Sequence, residues 1–324
     1  MQRFDDISRR RVGKKFVYFS YASEITDPAS IERIKSLSIP PAWKEVRIAA
    51  SPNAKILARG LDANGRKQAI YHPKFRARQA QQKFDRIMRF GEALPGLRTR
   101  VDADLARPKL DKEKVLATIV KLIDEAYFRV GNEQYARDNQ SFGITTLRSK
   151  HTDVTRASVT FDFVGKSGKR HVKEISNVQI AKIIKKLDEL PGHEIFRYRG
   201  DDGKMYDLHS SDVNAYIKEH MGEEFTAKDF RTWGGTLLAT ENLLAEDRPR
   251  NMGQREKIVV QTVKNVAEKL GNTPPVTRSS YIDPRVIDTF LNSTRFNEAK
   301  AALGTMRPKK HFSLDEQCVL RLLT

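Results

Sequence analysis

Apolar positions along the chain fall into two regimes. Between residues 46 and 72 they form short runs, 46–50, 55–61 and 66–72, separated by turn signals at Ser51-Pro52-Asn53 and Asn64-Gly65. Runs of this length between such punctuation predict the strands of a small sheet. From residue 74 the spacing becomes helical. Lys74 to Phe90 is dense in Arg, Lys and Gln, with Phe75, Phe84, Ile87 and Met88 as its few apolar anchors, which predicts a helix with a wet basic face. Val115, Leu116, Ile119, Val120, Leu122, Ile123 and Ala126 then make one apolar stripe, a helix expected to deliver Arg129 at its end.

Beyond it, Val159, Phe161 and Phe163 alternate with Thr160 and Asp162, and Gly165-Lys166-Ser167-Gly168-Lys169 turns the chain into residues 171–175. This predicts a hairpin with Lys166 at its tip. Helical patterns follow at 178–190, 211–221, 227–244 and 255–270. Thr226 with Asp229 forms a capping box, and Gly271 is the stop signal of the last of these helices. Asp283-Pro284 reads as the cap and first residue of a helix reaching Asn292, so Tyr281 is expected just before a helix, behind the stiff Thr273-Pro274-Pro275. The fold class expected is α+β. A small basic N-terminal β-sheet domain with helices spans 1–90, and residues 91–107, with Pro95-Gly96 and then Pro108, read as a linker that flexes. The larger domain, 108–324, is mainly α-helical and carries a small β-hairpin sheet.

Charge changes the picture. The chain of 324 residues holds 59 Lys and Arg against 41 Asp and Glu, a formal net charge of +18, while 39% hydrophobic residues suffice for a sizeable core. Residues 1–90 carry a net +12 of this, and residues 91–324 the remaining +6. Such a surplus points to a polyanion, nucleic acid ahead of an anionic membrane. No apolar run is long enough to span a bilayer, and the N-terminus is charged where a signal peptide would be apolar. The single cysteine, Cys318, excludes an internal disulfide and fits a reducing compartment; its apolar surroundings predict buried packing. No Gly-rich phosphate loop of the Walker type occurs, and the seven histidines show no metal-ligand spacing, so neither nucleotide, metal nor other cofactor is expected. His151, His171 and His209 are assigned to loops or strand edges.

The candidate chemistry rests on Tyr281 and the cations Arg129, Lys166 and Arg231. A phosphodiester repels a nucleophile through its charged nonbridging oxygens, and its transition state needs donors fixed around those oxygens. Arg129 and Arg231 present planar forks suited to that task. Lys166 on a hairpin tip suits a general acid for the leaving oxygen. The amide of Asn272 supplies a further donor that does not titrate near neutrality.

The order and local contexts of these residues resemble the type IB DNA topoisomerases, in particular their compact poxvirus and bacterial branch. Tyr127-Phe128-Arg129-Val130-Gly131, Phe163-Val164-Gly165-Lys166, Lys228-Asp229-Phe230-Arg231-Thr232 and Gly271-Asn272-Thr273-Pro274 leading to Tyr281 carry the resemblance. Gly65-Arg66-Lys67-Gln68-Ala69-Ile70-Tyr71 extends it to the N-terminal unit, where it resembles the family's groove-reading strand. The resemblance implies that Tyr281 attacks a DNA phosphate to give a 3′-phosphotyrosyl bond while Arg129, Arg231 and Asn272 hold the phosphate and Lys166 protonates the 5′-oxygen. The cut strand then rotates and is resealed, relaxing positive and negative supercoils without ATP or an obligatory metal. It also implies DNA contacts from Arg66, Lys67, Gln68, Tyr71, Asn132, Tyr135 and Lys228, and a monomer that clamps double-stranded DNA. The expected location is the cytoplasm, with the nucleoid, for a bacterial source, or the virion or infected cell for a viral one.

Two departures matter. Most of the family has His where this chain has Asn272, although bacterial members commonly carry Asn. Ala69 stands where poxvirus members have an aromatic residue, which removes one base contact and with it the basis for their short cleavage-site preference. A tyrosine recombinase is the alternative reading, but recombinases typically carry His three positions before the second arginine, where this chain has Lys228. A third reading, a non-enzymatic DNA-binding protein, explains the charge and leaves the tyrosine constellation without a reason.

Overall fold

The computed structural model describes residues 6–21 and 23–324. In chain order the elements are β1 (Asp6–Val12), β2 (Lys15–Ser20), β3 (Ser23–Glu24), α1 (Pro28–Ser36), β4 (Lys44–Ala49), β5 (Ile56–Leu61), β6 (Lys67–Tyr71), α2 (Pro73–Leu105), α3 (Lys112–Ala126) and α4 (Glu133–Asn139). They continue as β7 (Thr152–Val154), β8 (Val159–Val164), β9 (Arg170–Ile175), α5 (Val178–Asp188), β10 (Arg197–Arg199), β11 (Met205–Asp207), α6 (Ser210–Met221) and α7 (Ala227–Ala245). The last are α8 (Met252–Leu270), α9 (Pro274–Ser280), α10 (Pro284–Asn292), α11 (Arg295–Ala302) and α12 (Leu314–Leu323). The chain divides into two compact units between Lys83 and Phe84. The α+β class expected from the sequence is the one observed.

The N-terminal unit is a six-stranded antiparallel sheet in the order β3-β2-β1-β4-β5-β6. Because strand side chains alternate, Ile7, Val46, Ile48 and Ala58 share the face that packs with Ile34 of α1. The other face aligns Phe19, Ser8, Arg47, Arg59 and Ala69 straight across five strands, each opposite the next. Strands β4 to β6 match the sequence expectation. Strands β1 to β3 and helix α1 had no predicted counterpart.

In the larger unit α3 is the central element: Val115 to Val120, Leu122 and Ile123 are all buried. Its N-terminus is capped by Asp111, whose side chain accepts from the Lys114 N–H. Helices α6 and α7 and strand β10 pack around it. The sheet β7-β8-β9 contains the expected hairpin.

The expected linker over 91–107 is corrected, as is the boundary at residue 90. Helix α2 runs without interruption to Leu105, and Phe90, Leu94, Leu97, Val101 and Leu105 are buried in the core of the larger unit. Spacings of three and four residues place them on one helical face. Pro95 and Gly96, which read as a break, are half-buried and exposed respectively. Proline removes one helical hydrogen bond, and burial of the adjacent apolar face outweighs that local loss.

Candidate active site

Two helix C-termini organise the site. Helix α3 ends because Tyr127 turns left-handed, with φ 56° and ψ 38°, a conformation that costs a non-glycine residue roughly 1–2 kcal/mol. Cations from elsewhere in the fold brace this turn: Arg231 Nη1 donates to the Tyr127 carbonyl at 2.5 Å, and Lys173 Nζ donates to the Ala126 carbonyl at 2.6 Å. Helix α8 ends at Gly271, also left-handed with φ 64°, and the Leu270 carbonyl accepts from Arg231 Nη2 at 2.7 Å. Arg231 is therefore buried against the electronegative ends of two helices. Burial first, and then Arg129, lowers its pKa to about 10, which leaves it charged at neutrality.

Arg129 lies in the segment past the Tyr127 turn, three residues beyond the end of α3, not on the helix itself. Its Nη2 donates to Asn272 Oδ1 at 2.5 Å and to the Gly271 carbonyl at 3.2 Å. Burial lowers its pKa as well. The Asn272 side chain thus spends its oxygen on Arg129, and its Nδ2 is buried with no hydrogen-bond partner among the described residues. Arg231 Nε is buried and unpartnered too.

Tyr281 closes the group. It caps the C-terminus of α9, its N–H donating to the Thr277 carbonyl at 2.9 Å, and its ring centroid lies 5.3 Å from the Arg231 guanidinium carbon. The segment read as merely stiff is in fact this short helix, with Pro274 at its start. Helix α7 makes room for the arrangement with two consecutive glycines, each costing about 1 kcal/mol relative to alanine in a helix interior. A Cβ on Gly234 would lie 2.1 Å from Tyr127 Cε1, and one on Gly235 would lie 2.4 Å from the Tyr281 carbonyl oxygen.

Arg129, Arg231, Asn272 and Tyr281 are therefore brought together. Lys166 is where the hairpin was expected to put it, exposed at the β8–β9 tip, in a turn that uses left-handed Ser167 and Gly168. No hydrogen bond or ion pair ties it to the other four.

Sequence reasoning assigned His171 to a loop or strand edge, and it does lie at the start of the edge strand β9, but its burial there was not anticipated. His171 is buried on β9, stacked on Phe163 at 5.3 Å, with Nε2 3.5 Å from Arg129 Nη1. Lys173, next on the same strand face, was missed as well. Burial, then Arg231, Arg129 and Lys269, lowers its pKa to about 8. The signal was present: His171 pairs directly with Phe163, whose inward phase the sequence already fixed.

The expected DNA-contacting residues divide. Lys228 is exposed on the first turn of α7, one turn ahead of Arg231. Asn132 caps α4, its Oδ1 accepting from the Tyr135 N–H at 3.1 Å, and Tyr135 is exposed. In the N-terminal unit Lys67 is exposed, and Tyr71 is exposed with its ring stacked on Phe75 at 5.6 Å. Arg66 Nε and Gln68 Nε2 both donate to Asp62 Oδ2, at 2.7 and 2.9 Å. Gln68 alternates with Lys67 and Ala69 and shares its side of the strand with Ile70, which packs on the core. Arg10, Arg47 and Arg59 lie on the same sheet face as Lys67, Ala69 and Tyr71, and sequence reasoning did not single them out. Arg59 is paired there with Asp6 at 2.6 Å.

Among the described residues no group of three or more His, Cys, Asp or Glu is placed to hold a metal ion, and no helix is long and apolar enough to cross a membrane. Comparison with known families is decisive: the family described as eukaryotic DNA topoisomerase I, catalytic core, matches residues 72–303. The chain belongs to the type IB DNA topoisomerase family. Membership makes it an isomerase. A second match, to the bacterial DNA topoisomerase IB N-terminal domain, covers residues 15–62 of the sheet unit. Among topoisomerase relatives, DNA topoisomerase 1B of Acanthamoeba polyphaga mimivirus is 36% identical over 300 residues, covering 90% of this chain and 89% of the viral one. DNA topoisomerase 1B of Vaccinia virus (strain Copenhagen) is 22% identical over 285 residues, covering 85% and 87%. DNA topoisomerase 1 of Mycosarcoma maydis is 26% identical over 206 residues, covering 56% of this chain and 20% of the fungal one.

Proposed function

We propose that this topoisomerase relaxes positively and negatively supercoiled duplex DNA by reversible cleavage of one strand through Tyr281. The observation that carries the proposal is the pair of buried donors without acceptors, Arg231 Nε and Asn272 Nδ2, in the group that contains Tyr281. A buried unpaired donor costs about 1–3 kcal/mol. The nonbridging oxygens of a phosphodiester are acceptors of the matching charge, so occupation by DNA relieves that cost where charge must be stabilised.

In this reading the Tyr281 oxygen loses its proton to solvent and forms a bond to phosphorus, while the bond from phosphorus to the 5′-oxygen breaks. Lys166 gives its proton to that leaving oxygen, and Arg129, Arg231 and Asn272 hold the nonbridging oxygens through the pentacoordinate stage. The product is a 3′-phosphotyrosyl ester of about the same free energy as the diester, so the free 5′-hydroxyl reverses the reaction after strand rotation. ATP and an obligatory metal are unnecessary, and a monomer suffices. The exposed position of Lys166 at the hairpin tip suits a group that meets substrate.

The test is relaxation of plasmids of both supercoil signs in excess chelator without nucleotide, comparing the protein with Tyr281→Phe. Relaxation of both signs that disappears in the variant is expected. Tight binding without relaxation would overturn the reading in favour of a recombinase or a DNA-coating protein.

A further inference from the structure

We propose that His171 is a positioning residue for strand cleavage, a neutral ring that holds the Arg129 guanidinium and joins the Lys166 hairpin to the helix end bearing Asn272. This rests on the reading of the site given above and assigns it a member outside the five residues placed in that chemistry.

The ring occupies a slot between two glycines. A Cβ on Gly165, the residue before Lys166, would lie 2.7 Å from His171 Cδ2 and 2.9 Å from Nε2. A Cβ on Gly271, the residue before Asn272, would lie 2.1 Å from Cε1 and 3.0 Å from Nδ1. The Cδ2–Nε2 and Cε1–Nδ1 edges of one imidazole thus meet the backbones that carry two of the proposed phosphate-handling groups. Gly271 needs glycine for its left-handed φ of 64° as well, but Gly165 has φ −102°, which any residue adopts. Glycine is required at 165 because the ring is there.

The polar edge has one available role. A guanidinium only donates, so the contact of 3.5 Å from Arg129 Nη1 requires a lone pair on His171 Nε2, with the proton on Nδ1. The groups facing the ring keep it neutral: Arg129 from the segment after α3, Lys173 and Lys169 from its own hairpin, and Arg231 from α7 are all cationic. Burial and these charges lower its pKa to about 4, which leaves the ring neutral near neutral pH. Neither Arg129 nor Arg231 makes an ion pair with a carboxylate among the described residues. A neutral acceptor fits this design, because it orients Arg129 without cancelling the charge intended for phosphate.

The test compares His171→Phe, which keeps a ring in the slot and on Phe163 but deletes the acceptor, with His171→Gln, which keeps an acceptor. Cleavage is read as a single turnover at saturating protein on a DNA duplex. His171→Phe is expected to slow cleavage about 10- to 100-fold with DNA affinity within about twofold, and His171→Gln to recover most of the rate. Adding Arg129→Ala to His171→Phe should cost no more than Arg129→Ala alone, since the histidine acts through that arginine. The imidazole nitrogen spectrum of the free protein supplies a readout independent of DNA, and a neutral ring protonated on Nδ1 is expected near neutral pH. Wild-type rates for His171→Phe, full additivity with Arg129→Ala, or a proton on Nε2 would each overturn the proposal while leaving the tyrosine mechanism intact. A wild-type protein that does not cleave would overturn both.

Discussion

The groups proposed to handle the phosphate occupy two contrasting settings. Arg129, Arg231 and Asn272 are held by helix ends and by one another, with Arg231 only 4% exposed. Lys166 stands on an exposed hairpin turn, and among the described residues no hydrogen bond or ion pair holds its ammonium. The difference follows from the task proposed for each. Donors that stabilise developing charge are effective when fixed beforehand, so folding energy is invested in their placement. An acid that must reach a leaving oxygen and then take the proton back gains from a reach that packing would restrict.

Substitutions at the two settings should therefore differ in what they damage. Arg231→Ala is the largest expected loss, with cleavage down by about 10³-fold. It should also lower thermal stability by several degrees, because the Tyr127 and Leu270 carbonyls lose their donor. Arg231→Lys should not restore activity, since a point charge cannot span both carbonyls. An Arg231→Ala protein with unchanged melting temperature would break the contrast.

Lys166→Ala should slow cleavage by about 10²- to 10³-fold with no change in melting temperature. Replacing the scissile 5′-oxygen by sulfur, a better leaving group, should erase most of that defect and little of the Arg231→Ala defect. Equal slowing on both substrates would remove the general-acid assignment. Asn272→Ala should cost about tenfold, because one neutral donor is lost while Arg129 and Arg231 remain. A loss as large as that of Arg231→Ala would show that Asn272 chiefly orients Arg129.

Lys173 gives the smallest and most specific test. Its pKa in the folded protein is lowered to about 8 from an ordinary value of 10.5 by burial and by Arg231, Arg129 and Lys269. Between these values the unfolded chain binds more protons, so this group's contribution to stability rises with pH from about 8 toward 10.5. Below pH 8 its charge is a full burden on the fold. The stability difference between wild type and Lys173→Met, followed by denaturant titration from pH 7 to 10, should shift in favour of wild type as pH rises. A difference that does not change with pH would contradict the lowered pKa.

Most of the fold was legible because apolar period and capping agree: Thr226 with Asp229, Gly271 and Asp283-Pro284 all act as the sequence indicated. Strand β1 was not, since its inward position at Arg9 looks polar. The Arg9 guanidinium serves there as a donor to the carbonyls of Ile39, Pro40 and Trp43, which no local pattern announces. Continuation of α2 past Pro95 was hidden for the opposite reason, a strong local breaker overridden by burial on the far face. At the site, the types and order of Arg129, Lys166, Arg231, Asn272 and Tyr281 carried the reading, and the structure brings four of the five together. The brace around them was invisible in one dimension because Arg231 reaches carbonyls 104 and 39 positions away.

That reach has a consequence during synthesis. Arg231 emerges from the ribosome before either Leu270 or Tyr281 exists, so a nascent chain carries both arginines with only the Tyr127 half of the brace and without the proposed nucleophile. The proposed capacity to break a strand is therefore acquired only when the segment from Leu270 to Tyr281 has closed on Arg231 and the turn at Tyr127.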